Sequence, residues 1–446
     1  MANTINMTEG KPFPIIFKYF IPILCSSLLQ QLYSIVDTIV VGKGINDMAL
    51  AAVGATGSIS FFIFGFIMGL GCGISILVAQ AYGALDYTRL RKSITMGVVS
   101  TGFVAFIIMI TGIIVMRPLL VLMHTSEVII DDAVLYIVII LAGIPLTLLY
   151  NVFAGILNAL GDSRTSMIAV AISSVINILL DLFFIVGCKM GVEGAAIGTL
   201  IAQCCAGAFC FMKLRKIPFV HIKRQDWKID RALIKEEIVI GIPVGFMNSV
   251  TAIGTILVQY FVNKLGVNYT AAYSACMRLV EFMMQPCAAA GMAMSTFAGQ
   301  NYGAKKFARI GEGLKSSFWL SVGLAVFSAI LLCGFPGQLA GLMLSDPENI
   351  ILCVDFLRLC GGMMWSISFL FLVRNTCQGM GFTIVPMISG FVELAARIIA
   401  AVFLTPVLGY MAIAIAETGA WTSAFMLNGV YLLFKLKRLI RAKKMI

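Results

Sequence analysis

The chain contains the stretch GCGISILVAQAYGALDYTR at residues 71–89 and repeats its pattern as GMAMSTFAGQNYGAKKFAR at residues 291–309. The Gly, Ser, Gln, Tyr, Gly, Ala and Arg positions recur about 220 residues apart, and Pro22 returns one residue later as Pro243. Because the offset between matching positions stays constant over this length, the sequence indicates a duplicated unit. Secondary transporters are often duplicated, because two similar lobes can rock about a site between them. The repeat therefore predicts two lobes and favours transport.

Composition predicts a membrane protein. Hydrophobic residues make up 60% of the chain and charged residues only 12%, with a mean hydropathy of +0.99. About 20 apolar residues cross a bilayer. We expect spans at 13–41, 52–81, 92–116, 131–159, 166–187, 192–212, 237–263, 271–298, 314–335, 350–378, 384–405 and 409–434.

The predicted fold is all-α and polytopic, with twelve transmembrane helices in two six-helix lobes related by an internal parallel repeat. The lobes are residues 1–212 and 237–446, and residues 213–236 form a hydrophilic linker between them. The first apolar stretch has full spanning length, so we expect it to remain as the first helix rather than a cleaved signal peptide.

The basic residues predict the orientation. Most of the 32 Lys and Arg residues fall in the alternate connections that are cytoplasmic if the N-terminus is inside. Basic residues are retained on that side of the membrane, so both termini are expected in the cytoplasm. The net charge of +11 then reflects topology and does not indicate a nucleic-acid partner.

Several motifs are absent from the sequence. There is no phosphate-binding G-x-x-x-x-G-K-[ST] loop and no hydrolase motif such as H-E-x-x-H or G-x-S-x-G. The 12 cysteines form no C-x-x-C pair and no spacing that suits zinc. We therefore expect no enzyme activity, no bound nucleotide and no cofactor.

Ionisable residues within spans are costly in hydrocarbon and are functional candidates. Asp37 lies in the first span, Asn177 and Asp181 share one face of the fifth, and Thr199 lies in the sixth. Two nearby carboxylates in a poorly hydrated cavity must take up a proton, a metal cation or a cationic ligand. Competition between these ligands is what an antiporter needs. The alternative is structural: Asn177 and Asp181 could form helix–helix hydrogen bonds, and Asp37 could lie at the interface.

These features together resemble the multidrug and toxic compound extrusion (MATE) transporters, over essentially the whole chain. The Gln-x-Tyr-Gly-Ala pair and the set Asp37, Asn177, Asp181 and Thr199 are similar to the DinF-type, MepA-like branch. The resemblance implies that these four residues form the coupling site for protons or sodium. It also implies supporting roles for Tyr136 and Asn151 in the fourth span, and for Pro22 as a place where the first helix bends.

The second lobe departs from the NorM-type branch, because its seventh and tenth spans lack the acidic residues that branch uses. Its eighth, tenth, eleventh and twelfth spans instead carry charged residues that include Arg278, Glu281, Arg374, Glu393, Arg397 and Glu417. Their signs nearly balance, so we favour an internal salt-bridge network over a substrate site. An unpaired Glu281 or Glu417 could still meet a cationic compound.

Residues of the first, seventh and eighth spans, near the predicted boundary between the two lobes, are candidates for the substrate cavity. They are Gln30, Tyr33, Met247, Tyr260, Tyr273, Met277 and Glu281. Methionine repacks easily and aromatic faces attract organic cations. The glycines of the Gln-x-Tyr-Gly-Ala repeats are expected to form turns instead.

The sequence thus predicts a monomeric antiporter of a bacterial inner membrane that exports lipophilic, often cationic compounds. A lipid-linked oligosaccharide flippase of the same superfamily is the alternative, although its cavity would need cationic residues for pyrophosphate. A membrane-embedded lipid enzyme would need a nucleophile, metal cluster or base constellation, which the sequence lacks.

Overall fold

The computed structural model describes residues 4–123 and 125–444, and every long element in these ranges is an α-helix. The first half contains α1 (Pro12–Gly44), α2 (Asp47–Gly83), α3 (Tyr87–Leu122), α4 (Ile130–Ala142), α5 (Ile144–Ala159), α6 (Ser163–Asp181) and α7 (Val192–Leu214). The second half contains α8 (Arg231–Leu265), α9 (Val267–Gly303), α10 (Phe307–Gly334), α11 (Pro336–Gly341), α12 (Pro347–Gly362), α13 (Met364–Gly379), α14 (Ile384–Leu408) and α15 (Met411–Lys444). A π-helix, Leu182–Gly187, continues α6.

The twelve predicted spans correspond to twelve helices or bent helix pairs. Eight helices in the described ranges are long and apolar enough to cross a membrane by themselves, and the two bent pairs raise this number to ten. The remaining two, α9 and α15, have 37 and 34 residues and are less apolar. The all-α, multi-pass fold is therefore confirmed.

Two predicted spans are bent rather than straight. Helices α4 and α5 meet at 49° around Gly143, and α12 and α13 meet at 45° around Met363. The bends lie at equivalent positions of the two repeats. In the first repeat Pro145 opens α5 and removes a main-chain donor; in the second, Gly361 and Gly362 precede the bend.

The Gln-x-Tyr-Gly-Ala stretches end helices, as predicted, since α2 stops at Gly83 and α9 at Gly303. The residues that adopt the left-handed conformation, however, are not these glycines. They are Leu85 (φ 58°) and Lys305 (φ 56°), which occupy equivalent positions. A non-glycine residue at positive φ is strained, so each turn depends on the contacts around it.

The described residues divide into two compact units. The first contains residues 4–6 and Ile21–Gly245, and the second contains Met7–Phe20 and the chain from Phe246 onward. Both α1 and α8 thus contribute their first residues to one unit and the remainder to the other. The core of the first unit includes Ile74, Leu90 and Ile137, and that of the second includes Phe356 and Trp421.

The segment before α1 is bound by side chains on both sides of the turn between α9 and α10. The Met7 amide donates to Oε1 of Gln300 at 2.8 Å, and Nδ2 of Asn301 donates to the Met7 carbonyl at 3.1 Å. Arg309 donates through Nη2 to the Glu9 carbonyl at 2.7 Å. We call Gln300, Asn301 and Arg309 the second-repeat clamp.

The equivalent stretch of the first repeat binds the connector before α8 (residues 215–230) and the start of α8, within the first unit. Three ion pairs form this contact: Arg89–Glu236 at 2.7 Å, Arg91–Asp226 at 3.0 Å and Lys92–Asp230 at 3.3 Å. Asp230 also caps α8, because its Oδ1 accepts from the Leu233 amide at 3.2 Å. With this cap, α8 begins at Arg231 rather than at the predicted residue 237.

Candidate functional site

Three predicted residues meet where α6 packs on α7. A tight turn at Gly161 (φ 85°) ends α5, and Asp162 then starts α6 by accepting from the Thr165 amide at 3.0 Å. Near the other end of α6, Asn177 and Asp181 are only 1% and 0% exposed. Asp181 is the last residue before the π-helix, a type of irregularity that is frequent at functional sites.

A glycine of α7 makes room for the Asp181 carboxylate. A Cβ atom at Gly198 would lie 2.6 Å from Oδ1 of Asp181. Any larger residue at this position would therefore displace the carboxylate or separate the helices.

The Asn177 amide links Asp181 to α7. In the orientation that satisfies both neighbours, Nδ2 of Asn177 donates to Oδ2 of Asp181 at 2.9 Å. Its Oδ1 then accepts from Oγ1 of Thr199 at 3.3 Å and from the Thr199 amide at 3.2 Å. The amide thereby fixes the position of the buried carboxylate.

Asp37 of α1 joins this group through its carboxyl, which lies within hydrogen-bonding reach of the Asp181 carboxyl. Two carboxyls can form such a bond only when one of them carries a proton. Oδ1 of Asp37 is buried and has no hydrogen-bond partner among the described residues. No Lys or Arg in the described ranges forms an ion pair with either residue.

Two tyrosines border the carboxyl pair. The hydroxyl of Tyr33 forms a hydrogen bond with Thr199. The Tyr136 side chain lies close enough to Asp37, Tyr33 and Asp181 to interact with them electrostatically. The structure thus brings Tyr136 to the site to which the resemblance assigned it.

A cavity of about 270 Å³ opens beside this group within the first unit. Five of the predicted residues line it, namely Gln30, Tyr33, Asn151, Asn177 and Thr199. Asn151 itself donates to the Thr147 carbonyl at 2.8 Å. Pro22 is buried in α1 and does not line the cavity, and α1 continues through it as one helix.

Sequence reasoning missed the remaining wall of this cavity. It consists of Phe64, Met68, Thr147, Tyr150, Val170, Ser173, Ser174, Ala202 and Gln203. Spacing along the helices was the available signal: Ser173 lies four residues before Asn177, Thr147 four before Asn151, and Gln203 four after Thr199. Such pairs share a helical face. Thr147 also donates to Gln203 across α5 and α7.

The other substrate-cavity candidates lie in the second unit and do not line this cavity. Met247 is buried and accepts from Nε2 of Gln378 at 3.6 Å through its sulfur, so it is packed inside its unit. Tyr273 is buried against Phe356 and donates to Glu417 at 3.5 Å. Their burial leaves neither surface free for a ligand in this conformation.

The last three candidates have different surroundings. Tyr260 is exposed beneath the Lys264 ammonium, Met277 packs against the core of the second unit, and Glu281 is exposed.

Four of the six charged candidate residues in spans eight to twelve form one buried network. Arg374 pairs with Glu393 at 3.0 Å and Arg397 pairs with Glu417 at 3.0 Å. The Glu393–Arg397 pair predicted from their i,i+4 spacing is the longest link, at 3.9 Å. Two cations and two anions neutralise one another here, so Glu417 is not the unpaired carboxylate that the sequence allowed. Arg278 and Glu281 are exposed and lie outside this network.

Part of the network occupies repeat positions that correspond to the polar site of the first unit. Arg397 corresponds to Asn177 and, with the one-residue shift of the first helix, Gly254 corresponds to Tyr33. A Cβ at Gly254 would lie 3.0 Å from Nη1 of Arg397, so the small residue accommodates the large one. The two repeats have therefore diverged in charge while keeping the fold.

The first-unit site offers oxygen ligands and protonatable groups. In the described residues, no three His, Cys, Asp or Glu side chains lie close enough to hold a metal ion together. The carboxylates, the Asn177 amide and the Thr199 hydroxyl instead provide oxygens of the kind that bind hard cations. The arrangement is able to hold a proton or a small cation.

Comparison with known proteins gives a consistent result. The MatE family model matches residues 22–183 and 243–403. Probable multidrug resistance protein YoeA of Bacillus subtilis (strain 168) is 29% identical over 372 residues, covering 81% of this chain and 80% of that protein. Multidrug export protein MepA of Staphylococcus haemolyticus (strain JCSC1435) is 25% identical over 394 residues, covering 86% of each.

A solved structure has the same fold. It is described as the outward-facing conformation of a multidrug resistance MATE family transporter of the MOP superfamily. The TM-score is 0.92, at 22% identity, over 98% of this chain and 99% of that chain.

Proposed function

The chain belongs to the MatE family, and from this premise we propose that it is a secondary active multidrug efflux transporter. It exports amphipathic, often cationic compounds in exchange for protons or sodium ions by alternating access. The observation that carries this proposal is the contact between the Asp37 and Asp181 carboxyls, which have no basic partner in the described ranges.

The carboxyl pair supplies the coupling. Two carboxylates this close repel each other strongly when both are ionised, so the pair binds one proton or one cation. A cation there removes the negative charge that attracts a cationic compound. By linkage, the bound compound weakens ion binding to the same degree. Alternate occupation by ion and compound gives exchange.

For sodium, the oxygens of Asp37, Asp181, Asn177 and Thr199 are the proposed ligands. For protons, the carboxyl pair alone is sufficient, since a single shared proton completes its hydrogen bond. The buried Oδ1 of Asp37, which has no partner in the described part of the chain, is available to either ion.

The cavity beside the pair is the proposed substrate site. Tyr33, Phe64 and Tyr150 provide aromatic faces for an organic cation, and Met68 provides an adaptable apolar surface. Its volume of about 270 Å³ is at the lower end for ligand pockets. We expect this conformation to hold the ring system of a compound rather than a whole drug.

We place the protein in a bacterial inner membrane, as a monomer with both termini in the cytoplasm. The named relatives are bacterial, and the distribution of Lys and Arg supports this orientation.

The test is efflux of a fluorescent lipophilic cation from proteoliposomes with imposed proton and sodium gradients. We expect wild-type efflux to respond to one gradient, and Asp181→Asn to lose that response. The matched control is Asp131→Asn, which removes an exposed carboxylate of α4 and should behave as wild type. A normal gradient response in Asp181→Asn would refute the site. Wild-type efflux indifferent to both gradients would favour the flippase alternative.

A further inference from the structure

A second cavity, of about 400 Å³, lies at the end of α7 in the first unit. It shares no lining residue with the cavity beside the carboxyl pair. Its floor is apolar and buried, formed by Ile94, Ile156, Leu214 and Val220. Phe153 completes the apolar wall beside Phe211 of the rim, their ring centres 5.3 Å apart.

The mouth of this cavity carries two basic side chains. Arg215 and His221 are both exposed, and the Arg215 guanidinium lies 5.8 Å from the centre of the Phe211 ring. The Nε2 atom of His221 lies 2.7 Å from the Arg215 carbonyl, which can only accept, so Nε2 donates. The Nδ1 atom is then the ring nitrogen left for a ligand.

The acidic residues nearby in the sequence do not neutralise this mouth. Asp226 and Asp230 of the connector and Glu236 at the start of α8 are paired with Arg91, Lys92 and Arg89 of α3. Lys213, Arg215, Lys216, Lys223, Arg224 and Lys228 form no ion pair within the described ranges. Fixed pairing of the acids with α3 thus leaves an excess of positive charge around the cavity.

We propose that this cavity binds an anionic phospholipid of the surrounding bilayer. One acyl chain lies on the apolar floor, and the headgroup phosphate accepts hydrogen bonds from the Arg215 guanidinium and, when the imidazole carries its second proton, from Nδ1 of His221. A guanidinium matches phosphate oxygens in a bidentate geometry, and basic groups just beyond a transmembrane helix attract anionic headgroups. The apolar volume favours a lipid over a free anion, which would leave that surface empty. The bound lipid thereby contacts both the end of α7 and the connector that follows it.

The test uses the purified full-length protein in detergent micelles. Native mass spectrometry counts bound dioleoylphosphatidylglycerol against dioleoylphosphatidylcholine, which has the same chains and no net charge. We expect one phosphatidylglycerol, bound roughly tenfold more tightly than phosphatidylcholine. The double variant Arg215→Gln/His221→Gln should lose this preference, and both positions are exposed, so folding should be unaffected.

Two further variants separate the alternatives. Arg224→Gln removes an exposed charge from the same connector without touching the cavity, and should bind as wild type. Val220→Phe fills the floor and should weaken both lipids, with size-exclusion chromatography as the check on folding.

Equal loss in Arg224→Gln and the double variant would overturn the proposal in favour of diffuse attraction. Full competition by inorganic phosphate would also overturn it, since it would indicate an anion site without a chain. Unchanged binding by folded Val220→Phe would refute the role of the cavity.

Discussion

At the scale of single residues, Gly198 determines whether the Asp181 carboxylate can lie between α6 and α7. Asp181 is fully buried, so a Cβ atom 2.6 Å from its Oδ1 cannot be avoided by moving into solvent. The carboxylate must then turn away from Asp37 and Asn177, and a small displacement of a reacting group is sufficient for a large loss of activity.

We therefore expect Gly198→Ala to fold and insert but to reduce gradient-driven efflux roughly 10- to 100-fold. The measurement is the proteoliposome assay described above, with yield and size-exclusion behaviour recorded for each variant. Gly102→Ala is the control, because a Cβ there meets nothing within 4 Å. Equal efflux by the two variants would show that the position of Asp181 is not critical.

The residues proposed for the site stand out in the sequence, but their hydrogen bonds do not. Asp37, Asn177 and Asp181 stand out because charge and amide groups are rare in apolar spans. The Tyr33–Thr199 bond and the role of Gly198 depend on how α1 and α7 rotate about their axes. Met247 and Tyr273 were predicted to line a cavity on span position alone, and packing placed both inside their unit.

At the scale of elements, the second-repeat clamp and the equivalent stretch of the first repeat differ in chemistry although their sequences repeat. The second-repeat clamp binds main-chain groups of the segment before α1. The equivalent stretch of the first repeat instead binds the carboxylates of Asp226 and Glu236. The Leu233 amide and the Lys92 ammonium hold the pKa of Asp230 below its usual range. This downward shift means that the contact stabilises the fold above about pH 4 and is lost as the pH falls further.

We expect Arg309→Gln to release the segment before α1. Arg309 donates to the carbonyls of Met7 and Glu9, and glutamine is too short to reach both. Hydrogen exchange followed by mass spectrometry should then show faster exchange in residues 4–11. Lys315→Gln, an exposed position on α10, serves as the control. Unchanged exchange in Arg309→Gln would mean that Gln300 and Asn301 are sufficient.

Helix existence followed from hydropathy, but helix ends and bends did not. The first turns of α8 contain the charged residues Arg231, Lys235 and Glu236, so a span predicted from hydropathy begins after the true start of the helix, although Asp230 is a recognisable cap. The bends at Gly143 and Met363 interrupt stretches of continuous hydropathy. Pro145 was the only clear signal, and the second bend has no proline.

At the scale of the whole molecule, the orientation can be tested with a natural cysteine. Cys188 is exposed and follows the π-helix that continues α6. It lies next to Lys189, in a connection that faces the outside of the cell if the N-terminus is cytoplasmic. A membrane-impermeant maleimide should label it in intact cells and should fail to label Cys188→Ser. Lys228→Cys in that background should react only after permeabilisation. The reverse pattern would invert the topology.

The duplication was visible in the sequence, but the assignment of the first helices to units was not. A repeat shows that two segments have the same structure and leaves open which neighbour each segment contacts. Residues Met7–Phe20 belong to the second unit, and the chain up to Gly245 belongs to the first. The last residues of the predicted linker at 213–236 therefore already belong to α8, and the first part of that helix lies in the first unit.

The second-repeat clamp also imposes an order in time. The Met7 amide and its Gln300 partner are separated by 293 residues. A ribosome adds roughly 5–20 residues per second, so this partner is made on the order of 15–60 s later. For that interval the main chain at Met7 lacks its eventual partners. The segment at Met7 thus reaches its final structure only after the chain through Gln300 has been synthesised.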